Sequence, residues 1–199
     1  MRECLTDLRS ARNPKARIKI LKGHFATKNS HVNTYIDMST VKTRHNNARE
    51  TAKTLAEEYM TNTPVETIVC LKNTEVIGAF MAEYLSGSGN ASVSAGNNIS
   101  VVTPEFDPAG QILFRDNNQR MIEGKQVLVL TDSMSTGSLV RQAIESVLYY
   151  GGRVSGICAV CGYYCLIVDV SRIEKVLYII AALFFWGFAL VSFLFPFFF

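Results

Sequence analysis

Residues 126–138 constrain the fold of this chain more than any other stretch. They begin with the aliphatic run Val-Leu-Val-Leu at 127–130, which is typical of a strand buried on both faces. An acid, small hydroxyl residues and a glycine follow, and apolar positions then recur at helical spacing over 139–150. Gly151 and Gly152 end that predicted helix. A buried strand, a loop of small residues and a helix N-terminus together form an arrangement that binds phosphate.

Strand and helix patterns alternate along the preceding chain and after the predicted helix. The spacing predicts a helix at about 43–60, a buried strand at 66–71, a helix at 75–86 and a buried strand at 153–161. This alternation predicts an α/β fold, in which a parallel sheet is flanked by helices.

Local signals add detail to this outline. Ser39 or Thr40 is expected to cap the first helix. In the second helix the residues expected to face the core are Val76, Ala79, Phe80 and either Tyr84 or Leu85. The turn signal Asp-Pro-Ala-Gly at 107–110 lies between strand patterns at 99–103 and 111–114, which predicts a β-hairpin.

Composition divides the chain into three parts. Residues 1–22 are basic and mildly amphipathic, and we expect a helix or an arm there. Residues 23–162 carry the predicted α/β domain, and residues 163–199 form an apolar tail. Residues 176–199 contain no charge and are numerous enough to span a bilayer as a transmembrane helix.

The tail leaves two origins open. Arg172 and Lys175 precede the apolar segment, so a genuine tail anchor would leave the α/β domain in the cytoplasm. A frame change in the coding sequence is the alternative, and it is the origin we favour. A buried core helix of this length exceeds what a small domain can cover.

Charge and cysteine content exclude two classes of function. The formal net charge of +3, with no block of Lys or Arg, argues against a nucleic-acid partner. Cys158, Cys161 and Cys165 lie close together without a second Cys or His pair, so we expect no zinc site and no direct metal ligation. Reduced cysteines of this kind are typical of intracellular proteins.

The polar residues after the central strand are the expected site. Ligands of open α/β sheets bind beyond the carboxyl ends of the strands, where Asp132 lies. Its carboxylate suits a ribose diol or the water shell of Mg²⁺. The residues expected to surround a phosphate are Ser133, Ser135, Thr136, Gly137 and Ser138. The alternative is an ordinary strand–loop–helix turn in which Asp132 or Ser133 caps the helix.

Residues 127–139 resemble the phosphoribosyl-diphosphate (PRPP) signature of type I phosphoribosyltransferases, with Thr131 and Asp132 in its two acidic places. The resemblance implies the type I fold and a homodimer. It implies that Thr131 and Asp132 contact the ribose, that Asp132 takes part in catalysis, and that residues 133 and 135–138 hold the 5′-phosphate. PRPP would arrive as its Mg²⁺ complex.

Two further segments fit the same family. Residues 68–75 resemble its pyrophosphate loop, which implies pyrophosphate contacts from Lys72, Asn73 and Thr74. The predicted hairpin and residues 115–123 occupy the place of its flexible catalytic lid. Arg115 matches the first Arg of the lid pattern, whereas the lysines and the histidine of that pattern are absent. The resemblance gives Arg115 a role in compensating pyrophosphate charge during catalysis.

Residues 28–35 resemble a segment of orotate phosphoribosyltransferases that approaches the base, keeping Lys28 and Tyr35. The implied function is transfer of 5-phosphoribosyl from PRPP to an orotate-like nitrogen base with release of pyrophosphate. Thr131 in an acidic place and the reduced lid leave open a PRPP-binding regulatory protein without turnover. The tail leaves open a membrane-anchored interaction protein.

Overall fold

The structure, a computed structural model, describes residues 5–10, 12–26, 31–60, 63–87, 98–134 and 136–162. All of them belong to one compact unit, Met1–Leu166. Lys28, Ser135 and the whole tail from 163, including the predicted span at 176–199, lie outside the described residues. Within the described ranges, no helix combines the length and apolarity that crossing a membrane requires.

The N-terminal part of the chain forms an antiparallel sheet. Its strands β1 (Thr6–Arg9), β2 (Arg17–Ala26) and β3 (His31–Asp37) lie in the order β1-β2-β3. Where a helix or an arm was expected within residues 1–22, the described residues contain β1 and the first part of β2, and β2 continues past residue 22. Ile18 and Ile20 alternate with basic residues at period 2, which suits a half-buried strand.

Two short helices follow β3. Helix α1 spans Ser39–Thr43 and α2 spans His45–Ala56, with Arg44 in extended conformation between them. The sequence predicted one helix and a cap from Ser39 or Thr40. Instead, Met38 is the N-cap residue of α1, and the backbone N–H of Ser39 donates to Asp37 Oδ1 at 2.9 Å.

The rest of the chain builds the predicted α/β layers. In order, its elements are β4 (Thr67–Cys70), α3 (Glu75–Gly87), β5 (Ser100–Val102), β6 (Glu105–Phe106), β7 (Ile112–Leu113), α4 (Asp116–Gln119), β8 (Gln126–Met134), α5 (Ser138–Tyr149) and β9 (Arg153–Gly162). The four strands β5-β4-β8-β9 form a parallel sheet in that order. The predicted parallel sheet flanked by helices is confirmed.

The two central strands are buried on both faces. Alternate side chains of β8 belong to different clusters: Leu128 and Leu130 pack with residues of α2 and α3, whereas Val127 and Val129 pack with residues of α5 and β7. All four are fully buried. This double burial explains why the sequence of β8 is a continuous aliphatic run and not an alternating one.

Helix α3 faces the core with part of the predicted side, since Phe80, Tyr84 and Leu85 pack in the core whereas Val76 and Ala79 do not. Val76 is 43% exposed and Ala79 is exposed, and the buried residues are Ile77, Gly78, Met81, Ala82 and Leu85. The helix presents Gly78 to Cys70 of β4, at a distance that leaves no room for a Cβ atom. Close approach of the backbone thus decides the face of α3.

The predicted hairpin is present, with its second strand as predicted and a different first strand. Residues 100–102 pair with β4 in the parallel sheet, and the hairpin consists of β6 and β7. The predicted turn is confirmed, because Asp107 Oδ1 accepts the N–H of Gln111 at 2.7 Å. The segment expected as a mobile lid contains α4 and is anchored at both ends by the buried Phe114 and Ile122.

Candidate functional site

A cleft of about 720 Å³ opens beside the carboxyl end of β8. Residues 35–39 of β3 and α1 form one wall, together with Lys42 and Thr43. Asn73, Glu75 and Val76 form a second wall at the start of α3, and Asp132, Ser133 and Cys161 come from β8 and β9. The cleft therefore lies where ligands of parallel α/β sheets bind.

Asp132 is the centre of the polar contacts in this cleft. It lies within β8, which continues two residues past it, and only 9% of its surface is exposed. Lys42 Nζ lies 2.6 Å from Asp132 Oδ2, and Lys72 Nζ lies 3.4 Å from Oδ1. The hydroxyl of Ser133 donates to Oδ1 at 2.9 Å. Both carboxylate oxygens thus have donors.

The balance of these contacts keeps Asp132 ionised. Burial opposes the charged form, and it is the largest single effect on this carboxyl group. The hydrogen bonds from Lys42 and Ser133 and the charge of Lys72 together outweigh burial, so the pKa of Asp132 is lowered below its ordinary value. At neutral pH the cleft therefore contains a fixed carboxylate between two ammonium groups.

Sequence reasoning missed Lys42. It belongs to the five-residue helix α1, and no motif or spacing around it indicates a site. Its ammonium group donates to Asp132 and to the carbonyl oxygen of Lys72, the latter at 2.7 Å. It thereby connects α1 to β8 and to the loop that follows β4. Lys42 and Asp132 are ninety positions apart in the sequence, and only the folded path of the chain brings them into contact.

The loop after β4 has unusual backbone geometry. Lys72 and Asn73 both adopt positive φ, at 54° and 60°, which costs of order 1 kcal/mol or more for a residue with a Cβ. Lys72 Nζ also reaches Ser133 Oγ at 3.2 Å, so the predicted pyrophosphate loop and the predicted phosphate loop are in contact. Thr74 is fully buried and donates to the carbonyl of Leu71, so its side chain holds the loop instead of facing the cleft.

The loop after β8 leads into α5 as predicted. Gly137 occupies the N-cap position with φ of 74°, and no side chain caps the helix there. Thr136 Oγ1 and Ser138 Oγ lie 3.2 Å apart beside this N-terminus. The alternative in which Asp132 or Ser133 caps α5 is therefore wrong. The N–H groups of the first turn and the dipole of a twelve-residue helix favour an anion at this position.

The remaining predicted site residues are dispersed. Thr131 is fully buried, so its side chain is not available to a ribose in this conformation. Arg115 lies outside the cleft lining and forms an ion pair with Glu105 at 2.5 Å. Tyr35 lines the cleft and is 51% exposed, which suits contact with a planar ligand. Lys28 and Ser135 lie outside the described residues.

Two more carboxylates line the cleft. Two hydrogen bonds from Ser39 lower the pKa of Asp37 below its ordinary value. The bond from the hydroxyl of Ser39 has the larger effect, and the bond from its backbone N–H has the smaller one. Glu75 accepts from the hydroxyl of Thr103 at 3.3 Å. No cluster of three or more His, Cys, Asp or Glu side chains suited to a metal ion occurs in the described part of the chain.

Comparisons with known proteins identify the fold. No protein-family model matches the sequence, and no curated protein matches it. Among solved structures, adenine phosphoribosyltransferase from Thermoanaerobacter pseudethanolicus aligns with a TM-score of 0.50 and 12% identity, over 81% of this chain and 97% of that enzyme. Orotate phosphoribosyltransferase from Mycobacterium tuberculosis in complex with PRPP aligns with a TM-score of 0.47 and 14% identity, over 65% and 81%.

The similarity to the adenine enzyme covers most of both chains and establishes a common fold. The chain thus has the type I phosphoribosyltransferase fold that residues 127–139 indicated. In this fold the cleft, the strained loop after β4 and the uncapped N-terminus of α5 all lie at the carboxyl edge of the parallel sheet.

Proposed function

We propose that this protein is a PRPP-dependent phosphoribosyltransferase. The observation that carries the proposal is the position of Asp132, a buried and ionised carboxylate between the Lys72–Asn73 loop and the uncapped N-terminus of α5. A sugar diphosphate with a 5′-phosphate needs these three features together: acceptors for the ribose hydroxyls, cations for the diphosphate and backbone N–H groups for the phosphate.

Each part of PRPP then has its own contacts. Asp132 accepts hydrogen bonds from the ribose hydroxyls. Residues 136–138, together with Ser133 and Ser135, hold the 5′-phosphate. The ammonium group of Lys72 and the backbone of the Lys72–Asn73 loop contact the pyrophosphate, and Arg115 keeps the lid role that the sequence indicated.

The reaction needs positioning and charge stabilisation more than acid or base groups from the protein. A nitrogen atom of the base forms a bond to C1 of the ribose, and the bond from C1 to the pyrophosphate oxygen breaks with its electron pair. The base loses a proton to solvent or to pyrophosphate. Fixed cations near the leaving group and a fixed carboxylate near the ribose stabilise the separated charges.

Mg²⁺ enters this proposal as part of the substrate. Both oxygens of Asp132 already have donors from lysine or serine, so direct ligation of a metal by this carboxylate is disfavoured. The ion would arrive bound to the diphosphate of PRPP and reduce its charge. Omission of Mg²⁺ from a PRPP titration is expected to weaken binding.

The acceptor is a nitrogen base. The resemblance of residues 28–35 favours an orotate-like base, and Tyr35 supports this placement because its ring lines the cleft. Orotate as the acceptor stays a prediction, as do the homodimer and the membrane association through the tail. Light scattering of the purified chain and fractionation of cells expressing it test the last two.

Binding of PRPP without turnover is the second candidate function. Its supporting observation is Thr131, which is fully buried where the family signature has an acid. Asp132 is then the single carboxylate of the signature at the ribose, and Arg115 is occupied by Glu105. A protein with this arrangement could sense PRPP and change its contacts with a partner.

Measurement of pyrophosphate release tests the proposal. The assay contains PRPP, Mg²⁺ and, in parallel, orotate, uracil, adenine, guanine and hypoxanthine, alongside calorimetric titration of PRPP. Release with one base, lost in Asp132→Asn and kept in Asp7→Asn, supports transfer. Asp7 is a matched control because it is exposed and lies in β1, away from the cleft.

Two other outcomes of these measurements would contradict phosphoribosyl transfer. PRPP binding without release for any base supports the regulatory protein. No binding of PRPP at millimolar concentration contradicts both functions, since either one requires the ribose and phosphate contacts described above.

A further inference from the structure

We propose that Lys42 is a positioning residue that holds the carboxylate of Asp132 in its orientation toward the ribose, while Lys72 is the lysine that leaves Asp132 to contact the diphosphate. This inference rests on the proposed function, because it assigns different tasks to two lysines of the same cleft.

The two ammonium groups are held differently. Lys42 Nζ has two short contacts, to Asp132 Oδ2 at 2.6 Å and to the carbonyl oxygen of Lys72 at 2.7 Å, and its side chain is 18% exposed. Lys72 Nζ has longer contacts, at 3.4 Å to Asp132 Oδ1 and at 3.2 Å to Ser133 Oγ, and its side chain is 42% exposed.

A ribose diol competes with these lysines for the oxygens of Asp132. The contacts of Lys72 are longer and lie nearer to solvent, so they cost less to break. Lys42 would lose a buried charge pair and a carbonyl partner together, which costs more. Ligand binding therefore displaces Lys72, whose ammonium group is then free for the anionic diphosphate.

Lys42 also substitutes for part of the missing acidic pair. Because Thr131 is buried and neutral, the carboxylate of Asp132 alone has to accept the ribose hydroxyls. Another side chain then has to fix the orientation of that carboxylate. The bond from Lys42 fixes Oδ2, and because Lys42 also holds the Lys72 carbonyl, it connects the ribose carboxylate to the pyrophosphate loop.

Other charged or titratable groups near this pair set the background for any pH effect. Asp37 of β3, Glu75 of α3 and Cys161 of β9 line the same cleft, and Lys72 approaches from the loop after β4. Lys42 and Lys72 both favour the ionised form of Asp132. Removal of the charge of Lys42 should therefore raise the pKa of Asp132, whereas Lys42→Arg should keep it low.

The first experiment follows Asp132 directly in the ligand-free protein. Carbon-13 labelled aspartate gives carboxyl resonances, and the signal of Asp132 is identified by its absence in Asp132→Asn. We expect the titration of this carboxyl group to move to higher pH in Lys42→Met, to stay near wild type in Lys42→Arg, and to be unchanged in Lys53→Met. Lys53 is the matched control, because it is an exposed lysine of α2 outside the cleft.

The second experiment is a double-mutant cycle with ribose 5-phosphate as the probe. Lys42→Met is expected to weaken its binding about tenfold or more, as loss of a hydrogen bond to a charged group does. In the Asp132→Asn background the same substitution should have little further effect. Pyrophosphate as the probe should respond more to Lys72→Met than to Lys42→Met.

Two results would overturn the assignment. An Asp132 titration that is the same in Lys42→Met and wild type would show that Lys42 does not control the carboxylate. Equal losses of ribose 5-phosphate binding from Lys42→Met with and without Asp132 would show that Lys42 acts elsewhere. Circular dichroism verifies folding, and Lys42→Gln replaces Lys42→Met if the latter does not fold.

Failure of the proposed function gives a different pattern. In that case wild-type protein binds neither ribose 5-phosphate nor pyrophosphate, while the titration of Asp132 still responds to Lys42→Met.

Discussion

Gly78 of α3 lies directly against Cys70 of β4, so close that a Cβ atom at position 78 would overlap the sulfur atom. Cys70 is fully buried in the strand that precedes the Lys72–Asn73 loop. This contact sets the distance between α3 and the sheet, and with it the wall of the cleft that Asn73, Glu75 and Val76 provide.

Gly78→Ala should therefore destabilise the protein by about 1–3 kcal/mol, because the new methyl group has to displace the helix or the strand. Urea denaturation measures the change. Gly87→Ala is the control, since Gly87 lies in the same helix with open space around it. In a Cys70→Ala background the cost of Gly78→Ala should shrink, and a cost unchanged in that background would contradict the contact as its cause.

Gly137→Ala should weaken phosphate binding. The φ of Gly137 is 74°, and an L residue pays about 1 kcal/mol or more to adopt it, so the loop before α5 should move. Calorimetry with ribose 5-phosphate measures the effect. Gly110→Ala is a matched control, because Gly110 has φ of 83° in the hairpin turn, away from the cleft. Equal losses of affinity in both variants would argue against a phosphate site at α5.

Cys70 should resist thiol reagents while the protein is folded. Burial raises the pKa of Cys70 to about 12, so almost no thiolate exists at neutral pH, and the sulfur atom is inaccessible. Iodoacetamide labelling followed by peptide mass spectrometry should find Cys70 modified only in urea. Rapid modification under native conditions would mean that β4 opens readily.

Acid should weaken the fold partly through Glu66. Its carboxylate accepts the N–H of Gln126 and pairs with Lys125, both at 3.0 Å. These contacts lower the pKa of Glu66 in the folded state, and the hydrogen bond from the backbone of Gln126 has the largest effect. A lowered folded-state pKa stabilises the protein above the ordinary pKa of Glu, and this stabilisation is lost as pH falls through the folded-state value.

Glu66→Gln should therefore be less stable than wild type at about pH 6, and the difference should diminish toward about pH 3. Urea midpoints across this range test the expectation. Asp116→Asn serves as a control, because Asp116 is an exposed carboxylate in α4. A difference that stays constant with pH would exclude ionisation of Glu66 as the cause.

The parallel sheet and the loop after β8 could be predicted because their signals are local. A strand buried on both faces has to be aliphatic throughout, and a loop that approaches an anion has to consist of small residues. Both requirements appear as contiguous residue types, as in Val127–Leu130 and at Gly137. Part of the buried face of α3 and the first strand of the hairpin were predicted incorrectly, because they depend on which surfaces come into contact.

The sequence by itself determined the layered α/β architecture, the position of Asp132 near the carboxyl end of the central strand and the glycine at the start of α5. Only the tertiary structure decided which charges surround Asp132 and which predicted residues are turned away from the cleft. Lys42 reaches the site from a helix ninety positions earlier, while Thr131 is fully buried. The physical reason is that burial and helix propensity act over a few neighbouring residues, whereas an ion pair depends on the path of the whole chain.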